Sequence, residues 1–544
     1  MPTMWTGRGR DALWPLLLIS LIAFYSSAVG YNLANYFPVR GDEVLTMSAS
    51  HKLASTGVLG SDLATGLSDA DRRFFLNLPV QNLLQAPVFA IAGTGIWQAR
   101  LPSLAAGIAV ITLTAWFTRR AFGPLAAAIT SVALVFWRSN LIGTEPRPPL
   151  VALGHSGRYD LLVVAFLWAT IVLLHACLLR PRRITATLAG VSAALATLTQ
   201  FYGIAAVILI AVAYIMRWGR AVWREAVPRW SVLGCLLVLL PYGVFVALDA
   251  DAFLAQAALH GPRVQFFEPQ FWLRNLLNES ARYASLTEPS ILGIGGAWAL
   301  GPWMIFIGAA PGIVPLIVSS RGSGAVRALP WLSLAVPFAV LALVEQTKAV
   351  LYASLIVPSL CVCLGCGLDA MIRRRPFDRG SIVGRVLSVV SVALLIVLIV
   401  EGFRGYQFSL RESRHVSPYL GVGRQIASFM PDEGAVLGPW RWWWALGDRR
   451  YMGVNGFWWQ SQRVSDRGDA SLRDEVAAKN VKYLIVDRDF QGDLNRTVPS
   501  YRQDASEFID KCSSVAGVVD DATYGRIEVR RVSCAAWPST HVAK

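Results

Sequence analysis

The sequence predicts an α-helical polytopic membrane protein with about eleven transmembrane helices and a C-terminal soluble α/β domain. Three observations predict it. Hydrophobic residues make up 54% of the 544-residue chain and charged residues 16%, at a mean hydropathy of +0.47, which is more apolar surface than a soluble fold hides. Apolar runs of bilayer length recur from residue 12 to residue 403 and then stop. The arginines behind the net charge of +15 lie in short clusters between those runs. That is the pattern of membrane topology and not of a phosphate-tracking groove, so nucleic acid is not an expected partner.

The runs are 12–36, 100–117, 123–142, 159–179, 184–199, 201–216, 231–249, 291–318, 329–345, 349–369 and 386–403, each close to the ~20 residues a bilayer requires. Arg8 and Arg10 precede the first, and Arg119 and Arg120 follow the second. Arg180, Arg182 and Arg183 follow the fourth, and Arg217, Arg220, Arg224 and Arg229 the sixth. Arg321 and Arg327 follow the eighth, and Arg373, Arg374, Arg375 and Arg379 the tenth. With eleven spans every cluster falls on one side, which the positive-inside rule makes the cytoplasm. The expected setting is the plasma or inner membrane, with the N-terminus inside and the tail outside. No small-residue cleavage site precedes Arg40, so the first run reads as a retained helix.

The chain divides into a membrane part, 1–403, and an outer domain, 404–544. Within the first part the outer loop 37–99 is too long for a simple connection. A short helix is expected over 51–60. Phe74–Leu76 and 80–91, interrupted by Pro79 and Pro87, read as interfacial helices. In the tail, 419–430 reads as a helix, 434–438 and 481–487 as strands, 505–512 as a helix and 526–532 as a strand. Cys512 and Cys534 are the disulfide candidates, since an oxidising outer compartment favours a bridge. Cys361, Cys363 and Cys366 have metal-like spacing, but within an apolar run they read as small hydrophobes, so no metal site is expected there. Trp440, Trp442, Trp443, Trp444, Trp458 and Trp459 form a cluster. Sugar stacking by Trp443 and Trp444 competes with interface anchoring and ordinary packing.

The residues able to carry chemistry collect on the outer face. Asp42 and Glu43 sit where the first run meets water, and ionisable groups near a bilayer tend to be functional. A partly desolvated carboxylate there suits general-base work, its pKa raised toward the useful range. The same pair suits a cation site in a transporter. Arg158 and Asp160 open the fourth run, where the acid also favours a helix N-terminus and the arginine suits either that acid or a phosphate. Lys348 lies between the ninth and tenth runs, ahead of Tyr352, where a lysine either snorkels to headgroups or meets a phosphate. Gln200, Tyr202, His260 and Arg263 share this face.

Several stretches together resemble the GT-C superfamily of integral-membrane glycosyltransferases, especially its bacterial protein-mannosyltransferase-like and aminoarabinose-transferase-like branch. They are the Asp42-Glu43 pair after helix one, ARLPSLAAGIAVITL at 99–113, GRYDLLVVAFLWAT at 157–170, LATLTQFYG at 195–203, and Lys348 with YASLIVPSL at 352–360. The resemblance implies transfer of a sugar from a polyprenyl-phosphate carrier to a glycan, lipid or protein acceptor on the extracytoplasmic side. It implies Asp42 as base with Glu43 beside it, Asp160 lining the same cavity, and Lys348 at the donor phosphate. Gln200 departs from the pattern, which commonly has lysine there, and leaves Arg158 or Arg263 to compensate. Tyr202 and Tyr352 fall in the donor region, and His260, Trp443 and Trp444 are the acceptor candidates. Some members of the superfamily use a divalent cation. Magnesium or manganese on Asp42, Glu43 and Asp160 is compatible with this reading. A secondary transporter and a non-catalytic cell-envelope binding protein are the competing functions. A transporter would be expected to show inverted repeats and midplane polar residues, and neither is evident.

Overall fold

The computed structural model describes residues 8–65, 67–139, 147–260, 267–283, 324–373, 382–447, 449–454 and 472–533. In chain order the first helices are α1 (Arg8–Gly30), α2 (Gly41–Thr56), α3 (Val80–Ala92), α4 (Ile96–Ala121), α5 (Pro124–Phe136), α6 (Pro149–Gly154), α7 (Asp160–Leu179) and α8 (Arg183–Thr199). There follow α9 (Ala205–Trp218), α10 (Ala226–Ala247), α11 (Ala250–Ala258), α12 (Pro269–Leu277), α13 (Ala325–Leu343), α14 (Val357–Ile372) and α15 (Ile382–His415). Every predicted span falls on a helix except 291–318, which lies outside the described residues. Among the described residues, by length and composition, seven helices are long and apolar enough to cross a membrane, and four further apolar helices are shorter. The chain is a multi-pass membrane protein.

Among the described residues, arginines of these clusters meet the ends of neighbouring helices. Arg119 at the end of α4 lies over the Trp14 ring at the start of α1, 4.6 Å from its centroid. Arg373 after α14 reaches toward Gly123 at the start of α5. Arg183 at the start of α8 lies over Trp230 of α10 at 5.6 Å. Small residues let the helices approach. A Cβ on Gly190 of α8 would meet the Ser231 carbonyl of α10 at 1.9 Å, and one on Gly234 would meet the Thr187 carbonyl at 2.1 Å. The hydroxyl of Ser231 donates to the Ala186 carbonyl across the same contact (2.9 Å).

The outer loop departs from the sequence expectation. The acidic pair does not flank the first span, because α1 stops at Gly30 and a separate helix, α2, begins at Gly41. Asp42 and Glu43 occupy its first turn, where the helix dipole favours acids. Gly57, at φ +74°, ends α2 in the left-handed conformation with its N–H on the Leu53 carbonyl. The helix expected over 51–60 is thus the last part of a longer one. Phe74–Leu76 is a buried loop and not an interfacial helix, whereas 80–92 does form a helix, α3.

The tail adds α16 (Tyr419–Ser428), α17 (Leu472–Ala478), α18 (Arg488–Asn495) and α19 (Pro499–Cys512) around five strands. These are β1 (Ala435–Gly438), β2 (Tyr451–Gly453), β3 (Val481–Val486), β4 (Ser513–Asp521) and β5 (Gly525–Val532), in the sheet order β2-β1-β3-β5-β4. β1 pairs parallel with β2 and β3, while β5 pairs antiparallel with β3 and β4. The sequence anticipated β1, β3 and β5 and missed the three-residue β2 and β4, whose Ser-Ser-Val-Ala-Gly-Val-Val-Asp-Asp has only two buried residues on this sheet edge. No flexible linker separates the two parts at residue 404, since α15 runs unbroken to His415. Val44, Met47 and Phe74 of the outer loop share one apolar core with Tyr419, Trp442 and Ile527 of the tail. The loop and the tail therefore form one continuous roof over the bundle.

Candidate active site

Glu43 and Arg100 fix the floor of this region. Arg100, at the start of α4, is fully buried and donates from Nε to Glu43 Oε1 (2.6 Å) and from Nη2 to Oε2 (2.8 Å). Its remaining donors hold the carbonyls of Leu33 (2.9 Å), Tyr36 (2.8 Å) and Phe37 (3.0 Å). A guanidinium is suited to this because its donors form a fixed planar fork. Glu43 Oε1 also accepts the Gly157 N–H at 2.7 Å. The glutamate is thus a tie between α2, α4 and the segment before α7.

The Gly157 peptide is held at its other end too. Its carbonyl accepts from Gln81 Nε2 (3.1 Å) and Gln85 Nε2 (3.3 Å) of α3. Asn82 donates to the Thr46 carbonyl of α2 at 2.9 Å, and Ser50 donates to Gln85 Oε1 at 2.7 Å. Gln81, Asn82 and Gln85 are buried, while Leu83, Leu84 and Ile91 on the same helix are exposed. The polar face of α3 is turned inward, as suits a helix lying against lipid. A Cβ at Gly157 would come within 2.8 Å of Glu43 Oε1, so only glycine fits.

This frame aims Arg158. Its Nη1 lies 2.6 Å from Asp42 Oδ2 and its Nε 2.9 Å from Asp160 Oδ2. Asp160 is buried and Asp42 is 67% exposed, so Asp42 lacks the desolvation anticipated from the sequence. Burial works against the Arg158 charge, but Asp160 and Asp42 more than offset it and hold its pKa well above the usual value. Tyr202 donates to Asp160 Oδ1 at 3.4 Å, and its ring lies 5.1 Å from that of Tyr352. A cleft of about 590 Å³, counting the space open to solvent, is lined by Arg40, Glu43, Arg100, Arg158 and Asp160 and by apolar residues such as Phe37 and Leu351. The tail reaches its edge. Tyr524 Oη accepts the Val39 N–H at 3.4 Å, and Asp489, paired with Arg441, acts electrostatically on Arg40.

Lys348 belongs to a second cluster. Its Nζ is 2.8 Å from Glu279 Oε2, with the Ala342 carbonyl at 3.3 Å. Glu279 also accepts from Arg282 Nε (2.8 Å) and Nη2 (3.3 Å), and that arginine holds the carbonyls of Leu341, Glu345, Thr347 and Ala349. Burial lowers the Lys348 pKa, against the pull of Glu279. Lys348 does not line the cleft that Arg158 lines. Tyr202, within electrostatic range of both Asp160 and Glu345, stands between the clusters.

The remaining candidates are spread out. The Gln200 side chain caps the turn at Phe201–Ile204 by accepting the Phe201 N–H (3.0 Å). His260 Nε2 lies 3.1 Å from the Leu76 carbonyl. Trp443 is buried and, with Trp444, packs on His51 of α2, while Trp444 also stacks on Phe89 of α3 at 5.9 Å. These two rings are part of the join between the outer loop and the tail. Cys512 is disulfide-bonded, and Cys534 and Arg263 lie outside the described residues. Among the described residues no three His, Cys, Asp or Glu side chains converge on a metal site. Asp42 and Asp160 already share one guanidinium and Glu43 turns to another, so these carboxylates do not fit a divalent cation as a ligand set.

Sequence reasoning missed Arg100, Gln81, Gln85, Gly157, Glu279 and Arg282. Two signals were available. Arg100 is a charge set at the very start of an apolar run, and Gln81, Asn82 and Gln85 make a one-sided amide stripe on an otherwise apolar helix.

No protein-family model matches the chain, and no curated protein matches it. Among solved structures it is similar to ArnT from Cupriavidus metallidurans bound to undecaprenyl phosphate, with a TM-score of 0.58 and 16% identity over 98% of this chain and 100% of that one. The apo state of the same protein gives a TM-score of 0.61 at 16% identity, over 97% and 100%. The archaeal oligosaccharyltransferase AglB from Archaeoglobus fulgidus, in complex with an inhibitory peptide and a dolichol-phosphate, gives 0.53 at 12% identity, over 94% and 74%. At these identities the likeness is one of fold.

Proposed function

We propose, from the GT-C glycosyltransferase fold that this chain shares with those proteins, that it transfers a sugar from a polyprenyl-phosphate carrier to an acceptor hydroxyl. The observation that carries the reading is the Asp42–Arg158–Asp160 array beside a cleft with both cationic and apolar walls. Two of the similar proteins were solved with polyprenyl phosphates, undecaprenyl phosphate in ArnT and a dolichol-phosphate in AglB. The positive-inside pattern supports the extracytoplasmic face as the place of reaction, in an inner or plasma membrane with the N-terminus cytoplasmic.

Asp42 is the base of this reading. One of its oxygens is engaged by Arg158, and the exposed carboxylate takes the proton of the acceptor hydroxyl. The acceptor oxygen then bonds to the anomeric carbon from the face opposite the carrier. The bond from carbon to phosphate oxygen breaks, and its electron pair leaves with the phosphate, whose charge is met by guanidinium groups of the cleft. One displacement inverts the anomeric centre and needs no second catalytic carboxyl. Asp160 keeps Arg158 in place. Glu43 is part of the scaffold under Asp42 and not a second base. The transporter alternative gains no support, because both acids of the pair are already ion-paired to arginines.

The test is transfer of radiolabelled sugar from polyprenyl-phosphate donors by the purified protein. Asp42→Asn should lower transfer by roughly 10²–10⁴-fold with stability unchanged within about 0.5 kcal/mol, since the site is exposed. A fully active Asn variant removes Asp42 as base. Absence of transfer from every polyprenyl-phosphate sugar removes the enzyme reading.

A further inference from the structure

We infer that Arg40, and not Lys348, binds the phosphate of an anionic lipid in the cleft. This rests on the transferase reading and names the residue that receives the carrier's head group. Of the described cations on this side, Arg100, Arg158 and Lys348 are already committed, and Arg40 is not. Arg100 spends its donors on Glu43 and three backbone carbonyls. Arg158 bridges Asp42 and Asp160. Lys348 sits on Glu279 and backbone carbonyls, away from the cleft lining.

Arg40 is exposed and lines the cleft. Among the described residues it makes no side-chain hydrogen bond and no ion pair within 4.0 Å; Asp42, Glu43 and Asp489 act on it only at longer range, as does the like charge of Arg158. A guanidinium with open donors beside a second guanidinium is a place for an anion, and its fork matches two phosphate oxygens. The walls beside it are apolar, with Phe37, Pro38, Leu153 and Leu351. A phosphate carried on a hydrocarbon chain fits such a wall better than a free ion does. The position also suits the chemistry, because Arg40 is two residues from the proposed base and leads directly into α2.

The test is binding to the full-length protein in nanodiscs, with undecaprenyl phosphate, undecaprenol, inorganic phosphate and phosphatidylglycerol as the probes. Wild type should bind undecaprenyl phosphate at least tenfold more tightly than undecaprenol. Arg40→Gln should lose tenfold or more of the phosphate-lipid affinity and leave undecaprenol binding unchanged, consistent with loss of a charge-assisted contact. Arg40→Lys, which keeps a point charge, should fall between, and Lys348→Gln should lose less than about threefold. An Arg40→Gln protein within threefold of wild type overturns the inference while the transferase reading stands. Equal wild-type affinity for undecaprenyl phosphate and undecaprenol overturns both. Inorganic phosphate or phosphatidylglycerol competing as well as undecaprenyl phosphate overturns the assignment to a polyprenyl carrier.

Discussion

Removing Arg100 tests whether the acidic pair is held from beneath. The side chain is fully buried, makes two bonds to Glu43 and satisfies three carbonyls of the turns that follow α1. Arg100→Met keeps most of the volume and removes every donor. It leaves the Glu43 carboxylate buried with only the Gly157 N–H, and breaking a buried pair from one side costs about 3–5 kcal/mol. The stranded carbonyls add to this at about 1–3 kcal/mol for each acceptor that water does not reach. Set against a typical total stability of about 5–15 kcal/mol, the single variant should be marginal or unfolded. In Arg100→Met with Glu43→Leu both charges are gone, and the buried-charge cost disappears with them. The double variant should therefore be more stable than the sum of the two singles, by a coupling of about 2–4 kcal/mol. Denaturant unfolding of the four proteins in one detergent measures this directly. A coupling below about 0.5 kcal/mol would show that the pair is not the tie described here.

Three further outcomes follow from the same geometry. Gly157→Ala places a methyl 2.8 Å from a carboxylate oxygen that Arg100 prevents from moving; it should cost about 1–3 kcal/mol and lower turnover by displacing Arg158, and a variant with wild-type stability and turnover refutes the two-ended clamp. His155 is buried against Tyr36 with Nδ1 on the Val151 carbonyl, and burial pushes its pKa down to about 4. The unfolded chain then takes up a proton between about pH 6.5 and pH 4 that the folded chain refuses, so stability is lost as pH falls through that window, by up to roughly 3 kcal/mol; the stability of wild type minus that of His155→Asn should shrink accordingly, and parallel pH curves count against it. Trp443→Ala should lower stability by about 3–5 kcal/mol as a buried aromatic is deleted, whereas weaker acceptor saturation at unchanged stability would return this ring to a sugar-stacking role.

The helical segments were legible because lipid writes its length requirement directly into composition, and the arginine clusters marked their ends. The tail strands β1 and β3 were legible for a related reason, since both are buried runs. β4 was not, because an edge strand with only two of its nine residues buried carries little apolar signal. Asp42, Arg158 and Asp160 were found as a neighbourhood, and the structure joins them by hydrogen bonds. Lys348 was placed on the same face, but its partner Glu279 lies 69 residues away in sequence, and no periodicity links the two. Arg100 and Glu43 are 57 residues apart, and a lone arginine in a run gives no indication of which acid it meets. Patterns local to one element survive in the sequence. Pairings between elements do not.

That difference explains why an adjacent acidic couplet supports only one base. Neighbouring residues at the start of a helix point about 100° apart, following from 3.6 residues per turn. If one side chain faces the opening, the next turns into the protein. Here Asp42 is 67% exposed and Glu43 is 2% exposed. The buried member must be paired, and Arg100 pairs it. The exposed member is then free to meet Arg158 and a substrate hydroxyl, on a helix start whose position is fixed by its neighbour. Exchanging the two, Asp42→Glu with Glu43→Asp, would shorten the buried tie and lengthen the exposed arm. Stability and transfer should then fall together, whereas Asp42→Glu alone should lower transfer and leave stability within about 0.5 kcal/mol. Equal loss of stability in both variants would put Asp42 in the frame and leave the reaction without its base.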